Sequence, residues 1–134
     1  MNNPFAIGEN KLSVMTKRIL VIDDDEDILS IFNIIFEDEG YEVILSNTGT
    51  TAEEVLVIHP DLVLLDVRIK GFSKTGDQIC NEIKTLAGTR NIPVILVSAE
   101  LDVPSLARES GADGYIRKPF NIYQLVSQVK QILN

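Results

Sequence analysis

The sequence has few of the residues on which metal binding and nucleophilic catalysis most often depend. It contains no tryptophan, one cysteine (Cys80) and one histidine (His59). A single thiol cannot form an internal disulfide, which agrees with a reducing compartment. A histidine-based zinc cluster or a Ser-His-Asp triad would have to be built around His59 alone. Because His59 precedes Pro60 in a predicted loop, we interpret it as a surface residue.

Long apolar runs and excess positive charge are also missing. No run approaches the about 20 apolar residues that cross a bilayer, and the N-terminal "MNNPFAIGENKLSVMTK" has no signal-peptide pattern. Lys and Arg total 12 against 20 Asp and Glu, a net charge of -8. Nucleic-acid binding depends on cations that neutralise phosphates. We therefore expect a cytoplasmic protein without a membrane span or a direct nucleic-acid partner.

The 134 residues, 45% of them hydrophobic, suit a single globular domain. Apolar runs alternate with helical patterns, and the first, third and fourth runs are nearly continuous Val, Ile and Leu, as in strands buried on both faces. The predicted strands are 18–23, 42–46, 61–66, 93–98 and 114–118, and the predicted helices are 26–39, 50–58, 76–87, 103–110 and 122–133. Five βα units imply an α/β fold with a parallel sheet and helices on both faces.

Local residues support these boundaries and distinguish one helix. Gly40 and Gly111 stand where a left-handed C-terminal cap is expected after the first and fourth helices. The fourth helix offers only Val103, Leu106 and Ala107 to the core. We therefore expect it to be the least firmly anchored helix and the readiest to shift.

In an open parallel sheet the functional site lies beyond the carboxyl ends of the strands. The predicted strands end on Asp23 and Asp24, Asp66, Ser98 and Lys118. Two negative charges about 4 Å apart repel by about 4 kcal/mol at an effective dielectric near 20, so the carboxylates need cations. Lys118 supplies one charge, and oxygen ligands without histidine or thiolate suit Mg²⁺ or Mn²⁺. One carboxylate would then be a nucleophile toward phosphorus.

The acidic run Asp23–Asp27 is open to other interpretations. The charges would favour the positive end of the first helix, and Asp25, Glu26 and Asp27 most simply start that helix. A calcium-binding EF-hand loop is excluded because its sixth and twelfth positions would be Ile28 and Ile34. No phosphate-binding P-loop motif occurs. A haloacid-dehalogenase-type phosphatase stays open, although its motif would require Thr or Val where Asp27 stands.

The sequence resembles a response-regulator receiver domain over residues 16–134, with residues 1–15 as an N-terminal extension that we interpret as passive. Five separated features carry the resemblance: the acidic pair Asp23 and Asp24, Asp66 ending "LVLLD", Ser98 of "ILVSAE", Tyr115 of "GYIRKPF", and Lys118 with Pro119. The resemblance implies a flavodoxin-like (βα)5 fold with strand order 2-1-3-4-5. It also implies that Asp66 accepts a phosphoryl group from a phosphohistidine of a sensor kinase or phosphotransfer protein.

The same resemblance implies a role for each site residue. Asp24 and Asp66 would bind Mg²⁺ directly, Asp23 would hold it mainly through water, and the Arg68 backbone carbonyl would complete the ligands. Lys118 would pair with the phosphoryl group. The set is completed by Ser98, which would swing to hydrogen-bond that group, Tyr115, which would follow Ser98 inward, and Pro119, preceded by a cis peptide bond.

The resemblance implies that phosphorylation remodels the surface formed by the fourth helix, fifth strand and fifth helix. This surface would bind a downstream effector protein. Such a domain is a monomer or weak homodimer and is no enzyme beyond its own phosphorylation and dephosphorylation. The alternative to phosphorylation is a pseudo-receiver that binds a partner without it.

Two departures from the family pattern lie beside the acceptor. The loop "VRIKGFSKTG" (67–76) has Lys70 where the family usually has proline, and about two extra residues. Arg68 and Glu100 each stand two residues beyond a site residue, Asp66 and Ser98. We predict that they form a salt bridge over the site and slow attack by water on the phosphoryl group.

Overall fold

A computed structural model describes residues 16–134, and the predicted extension at 1–15 lies outside the described residues. Five parallel strands form one sheet in the order β2-β1-β3-β4-β5, which confirms the predicted topology. The strands are β1 (Arg18–Ile22), β2 (Glu42–Ser46), β3 (Leu62–Asp66), β4 (Val94–Ser98) and β5 (Gly114–Arg117).

Five helices connect or follow these strands and cover both faces of the sheet. They are α1 (Glu26–Asp38), α2 (Ala52–Ile58), α3 (Gly76–Thr85), α4 (Val103–Ser110) and α5 (Ile122–Leu133). No helix within residues 16–134 is long and apolar enough to cross a membrane. His59 ends α2 in a left-handed conformation, with φ of 58°, and is exposed, as predicted.

Two predicted helix boundaries were wrong by about one half-turn, and local hydrogen bonds explain both. Helix α2 begins at Ala52 rather than residue 50 because Thr51 caps it: its hydroxyl accepts from the Glu54 N–H at 3.1 Å, and the Glu54 carboxylate accepts from the Thr51 N–H at 3.0 Å. Helix α3 ends at Thr85 rather than residue 87 because Leu86 adopts extended backbone angles.

The sheet separates two apolar layers. Strand β1 shows the alternation, since Leu20 and Ile22 face one layer while Ile19 and Val21 face the other. Helices α2, α3 and α4 pack on the first face and α1 and α5 on the second. On the second face, the rings of Phe32 and Phe36 lie edge to face with centroids 5.8 Å apart.

The register of the strands brings the predicted site residues to one edge. Ile22 of β1 pairs with Leu65 of β3, so Asp23 follows β1 beside the end of β3 at Asp66. Ser98 pairs with Arg117, so Lys118 leaves β5 next to the end of β4. The predicted convergence of the strand ends is therefore present in the fold.

Candidate phosphoryl-acceptor site

Three carboxylates cluster at the carboxyl edge of the sheet. Asp23, Asp24 and Asp66 each offer an oxygen that lies within 4.8 Å of the others. Asp23 and Asp66 are buried, and Asp24 is half-buried. Asp25 has a different role, because its side chain accepts from the Asp27 N–H at 2.9 Å as the N-cap of α1. The acidic run is thus divided between a pocket and a helix start, as predicted.

Lys118 places its ammonium between two of these carboxylates. Its Nζ lies 2.8 Å from Asp23 Oδ2 and 3.6 Å from Asp66 Oδ2. Burial opposes the charged ammonium, but the hydrogen bond to Asp23 and the charges of Asp66 and Asp23 outweigh it and raise the Lys118 pKa. The following peptide bond, Lys118–Pro119, is cis, as predicted. Lys118 is therefore a positive charge held between Asp23 and Asp66.

The surroundings of Asp66 raise the pKa of its carboxyl group. Burial and then the charge of Asp23 raise its pKa from 3.8 to about 7, although Lys118 and the Arg68 N–H act in the opposite direction. The Arg68 N–H lies 3.4 Å from Asp66 Oδ1. Because burial raises this pKa, a further cation beside Asp66 would favour its ionised form.

The chemistry of the cluster fits a divalent cation with oxygen ligands. Asp23 already uses both oxygens, since Oδ1 accepts from the Asp25 N–H at 2.9 Å and Oδ2 from Lys118 at 2.8 Å. Asp66 has weaker partners and is freer to ligate. Carboxylates without histidine or thiolate suit Mg²⁺ or Mn²⁺ rather than zinc. The contribution of the Arg68 carbonyl stays a prediction.

Ser98 and Tyr115 lie in different environments. Ser98 is buried at the end of β4, and its Oγ accepts from the Glu100 N–H at 2.9 Å. Tyr115 on β5 is 40% exposed, and the Arg117 guanidinium carbon lies 5.9 Å from its ring centroid. The tyrosine therefore points toward solvent in this conformation, and its predicted inward movement stays a prediction.

The predicted ion pair between Arg68 and Glu100 is present, with Arg68 Nε bonded to Glu100 Oε1. Both residues line a cavity of about 440 Å³ that also contains Asp66, Lys118 and Ser98. The Arg68 side chain is 74% exposed. The pair therefore lies at the solvent side of the pocket that contains Asp66.

The loop after β3 contacts the site in a way that sequence reasoning missed. The Lys70 N–H donates to Asp24 Oδ2 at 3.0 Å, although the two residues lie 46 positions apart. The Phe72 ring packs on Gly49, where a Cβ would fall 2.2 Å from the ring. Gly76 lies against the Asp66 carbonyl in the same way, with a hypothetical Cβ 2.0 Å from that oxygen. A glycine marks each of the last two contacts in the sequence, whereas no residue pattern marks the contact between Lys70 and Asp24.

Fold and site together define the class: a doubly wound α/β protein of flavodoxin type with an acidic, lysine-containing pocket at the carboxyl edge of its sheet. The sequence model of the family described as "Response regulator receiver domain" matches residues 19–130. The chain belongs to this family and is the receiver domain of a response regulator in two-component signalling.

Relatives and solved structures agree with this assignment. The chain is 35% identical over 122 residues to the DNA-binding response regulator MtrA of Mycobacterium tuberculosis, covering 89% of this chain and 51% of MtrA. It is 39% identical over 119 residues to the transcriptional regulatory protein CpxR of Escherichia coli, covering 87% of this chain and 49% of CpxR. The chain thus spans about half the length of these curated relatives.

The fold is similar to that of receiver domains of known structure. A CheY-like receiver domain protein from Methanospirillum hungatei superposes with a TM-score of 0.73 at 31% identity, covering 88% of this chain and 94% of that one. The receiver domain of a DNA-binding response regulator from Colwellia psychrerythraea superposes with a TM-score of 0.78 at 29% identity, covering 87% of this chain and 98% of that one.

Proposed function

We propose that Asp66 accepts a phosphoryl group from a phosphohistidine of a sensor kinase or phosphotransfer protein in a Mg²⁺-dependent reaction. The observation that carries the proposal is the position of Asp66: a buried carboxylate beside two others, 3.6 Å from the Lys118 ammonium and lining an open cavity. Asp24 and Asp66 would hold the cation directly and Asp23 through water, because both Asp23 oxygens already accept hydrogen bonds.

In the transfer, an Asp66 carboxylate oxygen forms a bond to phosphorus while the bond from phosphorus to the donor imidazole nitrogen breaks. The electron pair of that bond stays on the imidazole. Lys118 neutralises negative charge on the transferred group, and the Ser98 hydroxyl donates a hydrogen bond to a phosphoryl oxygen. A bound Mg²⁺ or Mn²⁺ supplies further positive charge at the transferring oxygens.

The output follows from the same contacts. Ser98 would leave the Glu100 N–H, a hydrogen bond worth about 1 kcal/mol, and join the phosphoryl group. Tyr115 would turn inward and remodel the surface of α4, β5 and α5, where a downstream effector protein binds. To shift this surface from 1% to 99% of the switched conformation, the phosphoryl group must favour that conformation by about 5.5 kcal/mol in interaction free energy. In this proposal the receiver is cytoplasmic, a monomer or weak homodimer, and does not itself bind nucleic acid.

Incubation with Mg²⁺ and acetyl phosphate is expected to add one phosphoryl group to the protein, measured by intact-protein mass spectrometry. Asp66→Ala should remove the adduct, because Asp66 lines the open cavity beside Lys118. Asp23 also lies beside Lys118, but both of its oxygens already accept hydrogen bonds. Chelation of the divalent cation should also prevent it. An adduct that persists in Asp66→Ala would contradict the proposed acceptor.

The same assay distinguishes the two alternative functions. Rapid catalytic turnover of the donor without a lasting adduct would favour a phosphatase of the haloacid-dehalogenase type. The absence of both adduct and turnover would favour a pseudo-receiver that binds its partner without phosphorylation.

Arg68→Ala is expected to accelerate loss of the phosphoryl group, because the Arg68–Glu100 pair covers the solvent side of the pocket. A surface ion pair is worth less than about 1 kcal/mol, so the rate should rise about two- to fivefold. The rate is measured as adduct decay after donor removal. Lys130→Ala, which removes a surface pair with Glu39 on a different part of the protein, is the matched control. An unchanged or slower decay of Arg68→Ala would show that the pair does not shield the site.

A further inference from the structure

We propose that the ammonium of Lys70 binds the phosphate oxygens of the incoming phosphoryl donor and so determines how efficiently donors load Asp66. This inference rests on the proposed function of Asp66 and deepens it. It assigns the donor-binding role to a loop residue outside the acceptor, metal and switch residues described above.

The backbone of Lys70 is held in a tight turn. The Phe72 N–H donates to the Ile69 carbonyl at 3.2 Å, which closes a four-residue turn, and Gly71 at its third position has φ of 78°. Such a turn requires positive φ at that position, which glycine adopts without strain. Lys70 therefore occupies the second position, where its side chain projects from the turn.

Three contacts fix this turn beside the pocket. Ile69 is 6% exposed in the apolar layer under the loop. Phe72 packs against the same layer and on Gly49, which leaves no room for a side chain there. The Lys70 N–H donates to Asp24 Oδ2 at 3.0 Å. The start of the Lys70 side chain is thus anchored at the wall of the cavity, while the side chain itself is exposed.

The Lys70 ammonium differs from the other cations of the pocket, because those are paired with carboxylates. Lys118 is paired with Asp23, and Arg68 with Glu100. Within residues 16–134, the Lys70 side chain forms no hydrogen bond or ion pair, so its charge is available to a ligand. Four carboxylates line the same cavity and would repel a phosphorylated donor: Asp24, Asp25, Asp66 and Glu100. An unpaired cation at the entrance lowers that repulsion.

In the proposed transfer of the phosphoryl group, a bond forms between an Asp66 oxygen and phosphorus, and the bond from phosphorus to the donor breaks. Lys70 takes no part in that exchange. Lys70 acts before the transfer, by raising the local concentration of the donor. Its removal should therefore lower the second-order rate constant for phosphorylation of Asp66, and the effect should weaken as the salt concentration rises.

The test compares the rate of Asp66 phosphorylation by acetyl phosphate in wild type, Lys70→Met and Lys70→Arg at about 50 mM and about 1 M KCl with saturating Mg²⁺. Lys70→Met should load about three- to tenfold more slowly at low salt, and the difference should disappear at high salt. Lys70→Arg should restore most of the rate. The matched control is Lys74→Met, because Lys74 lies in the same loop but is paired with Glu82 and does not line the acceptor cavity.

Two further readouts separate donor binding from a structural effect. Mg²⁺ affinity should not fall in Lys70→Met, because the backbone bond to Asp24 survives the substitution and the loss of a positive charge lowers repulsion of the cation. Decay of the finished adduct should not change, because Lys70 acts before the transfer. Equal loading by Lys70→Met and wild type, an equal loss in Lys74→Met, or failure of Lys70→Arg to restore the rate would each overturn the proposal for Lys70 while leaving Asp66 as acceptor. A wild-type protein that takes no phosphoryl group would overturn both.

Discussion

Asp66→Asn is expected to make the metal-free protein more stable at pH 8, by about 2–4 kcal/mol in the free energy of unfolding. The cause is the pKa of Asp66, which burial and Asp23 raise from 3.8 to about 7 in the folded state. Each tenfold change in an ionisation equilibrium corresponds to about 1.4 kcal/mol. Ionising the Asp66 carboxyl group therefore costs up to about 4 kcal/mol more in the folded state than in the unfolded state. Asparagine has a similar shape and no charge to ionise.

The sign of the pH dependence follows from proton binding. Below about pH 4 the carboxyl is protonated in both states, and wild type and Asp66→Asn should differ little. Between pH 4 and 7 the unfolded state loses the Asp66 proton first, so wild type loses stability as pH rises until the folded state also ionises near pH 7. Urea unfolding of both proteins from pH 4 to 8 measures this difference.

Added Mg²⁺ provides the control for that experiment. A cation held by the carboxylate cluster should stabilise wild type and compensate the ionised Asp66, while it should stabilise Asp66→Asn less because one ligand is lost. The advantage of the variant at pH 8 should therefore shrink or reverse. If Asp66→Asn is less stable than wild type at every pH without metal, burial of the ionised Asp66 carboxylate does not destabilise the folded state.

Gly76→Ala is expected to destabilise the fold by at least about 2 kcal/mol, since overpacking commonly costs about 1–3 kcal/mol and here the contact is backbone. The added Cβ would fall 2.0 Å from the Asp66 carbonyl oxygen and 2.9 Å from the Val67 Cα. Relief requires α3 to move away from the end of β3, which carries the acceptor. Loading of Asp66 should therefore fall together with thermal stability.

Gly88→Ala is the matched control for this steric effect. There the Cβ would meet the end of the Leu56 side chain at 2.8 Å, and Leu56 is 43% exposed and free to rotate. Its cost should stay below about 1 kcal/mol. The measurement is thermal unfolding of both variants beside wild type. Equal costs at the two glycines would contradict a special role for the contact between α3 and β3.

The fold was predictable because its signals are local and periodic. Strands buried on both faces are continuous Val, Ile and Leu, as in β3 and β4, and the alternation of strands and helices fixes the order of layers. The clustering of the carboxylates with Lys118 followed from topology, since parallel strands end at one edge and Asp23, Asp66 and Lys118 each stand at such an end. The two helix ends were wrong because capping by Thr51 and the extended Leu86 override periodicity.

The loop after β3 was not predictable in the same way. Its contacts join residues distant in sequence, Lys70 to Asp24 and Phe72 to Gly49, and no hydrophobic period marks them. A glycine signals permissive backbone or close approach without naming the partner. The outward orientation of Tyr115, which is 40% exposed, is likewise not encoded by composition and spacing.

The ion pair between Lys118 and Asp23 joins residues 95 positions apart, from the first strand to the segment after the last. A partly folded chain that has formed β1 and β3 already carries all three carboxylates, but it lacks this cation until β5 docks at the far side of β4. Under the proposed function, phosphoryl transfer to Asp66 would therefore require the first and last strands to be assembled in one sheet.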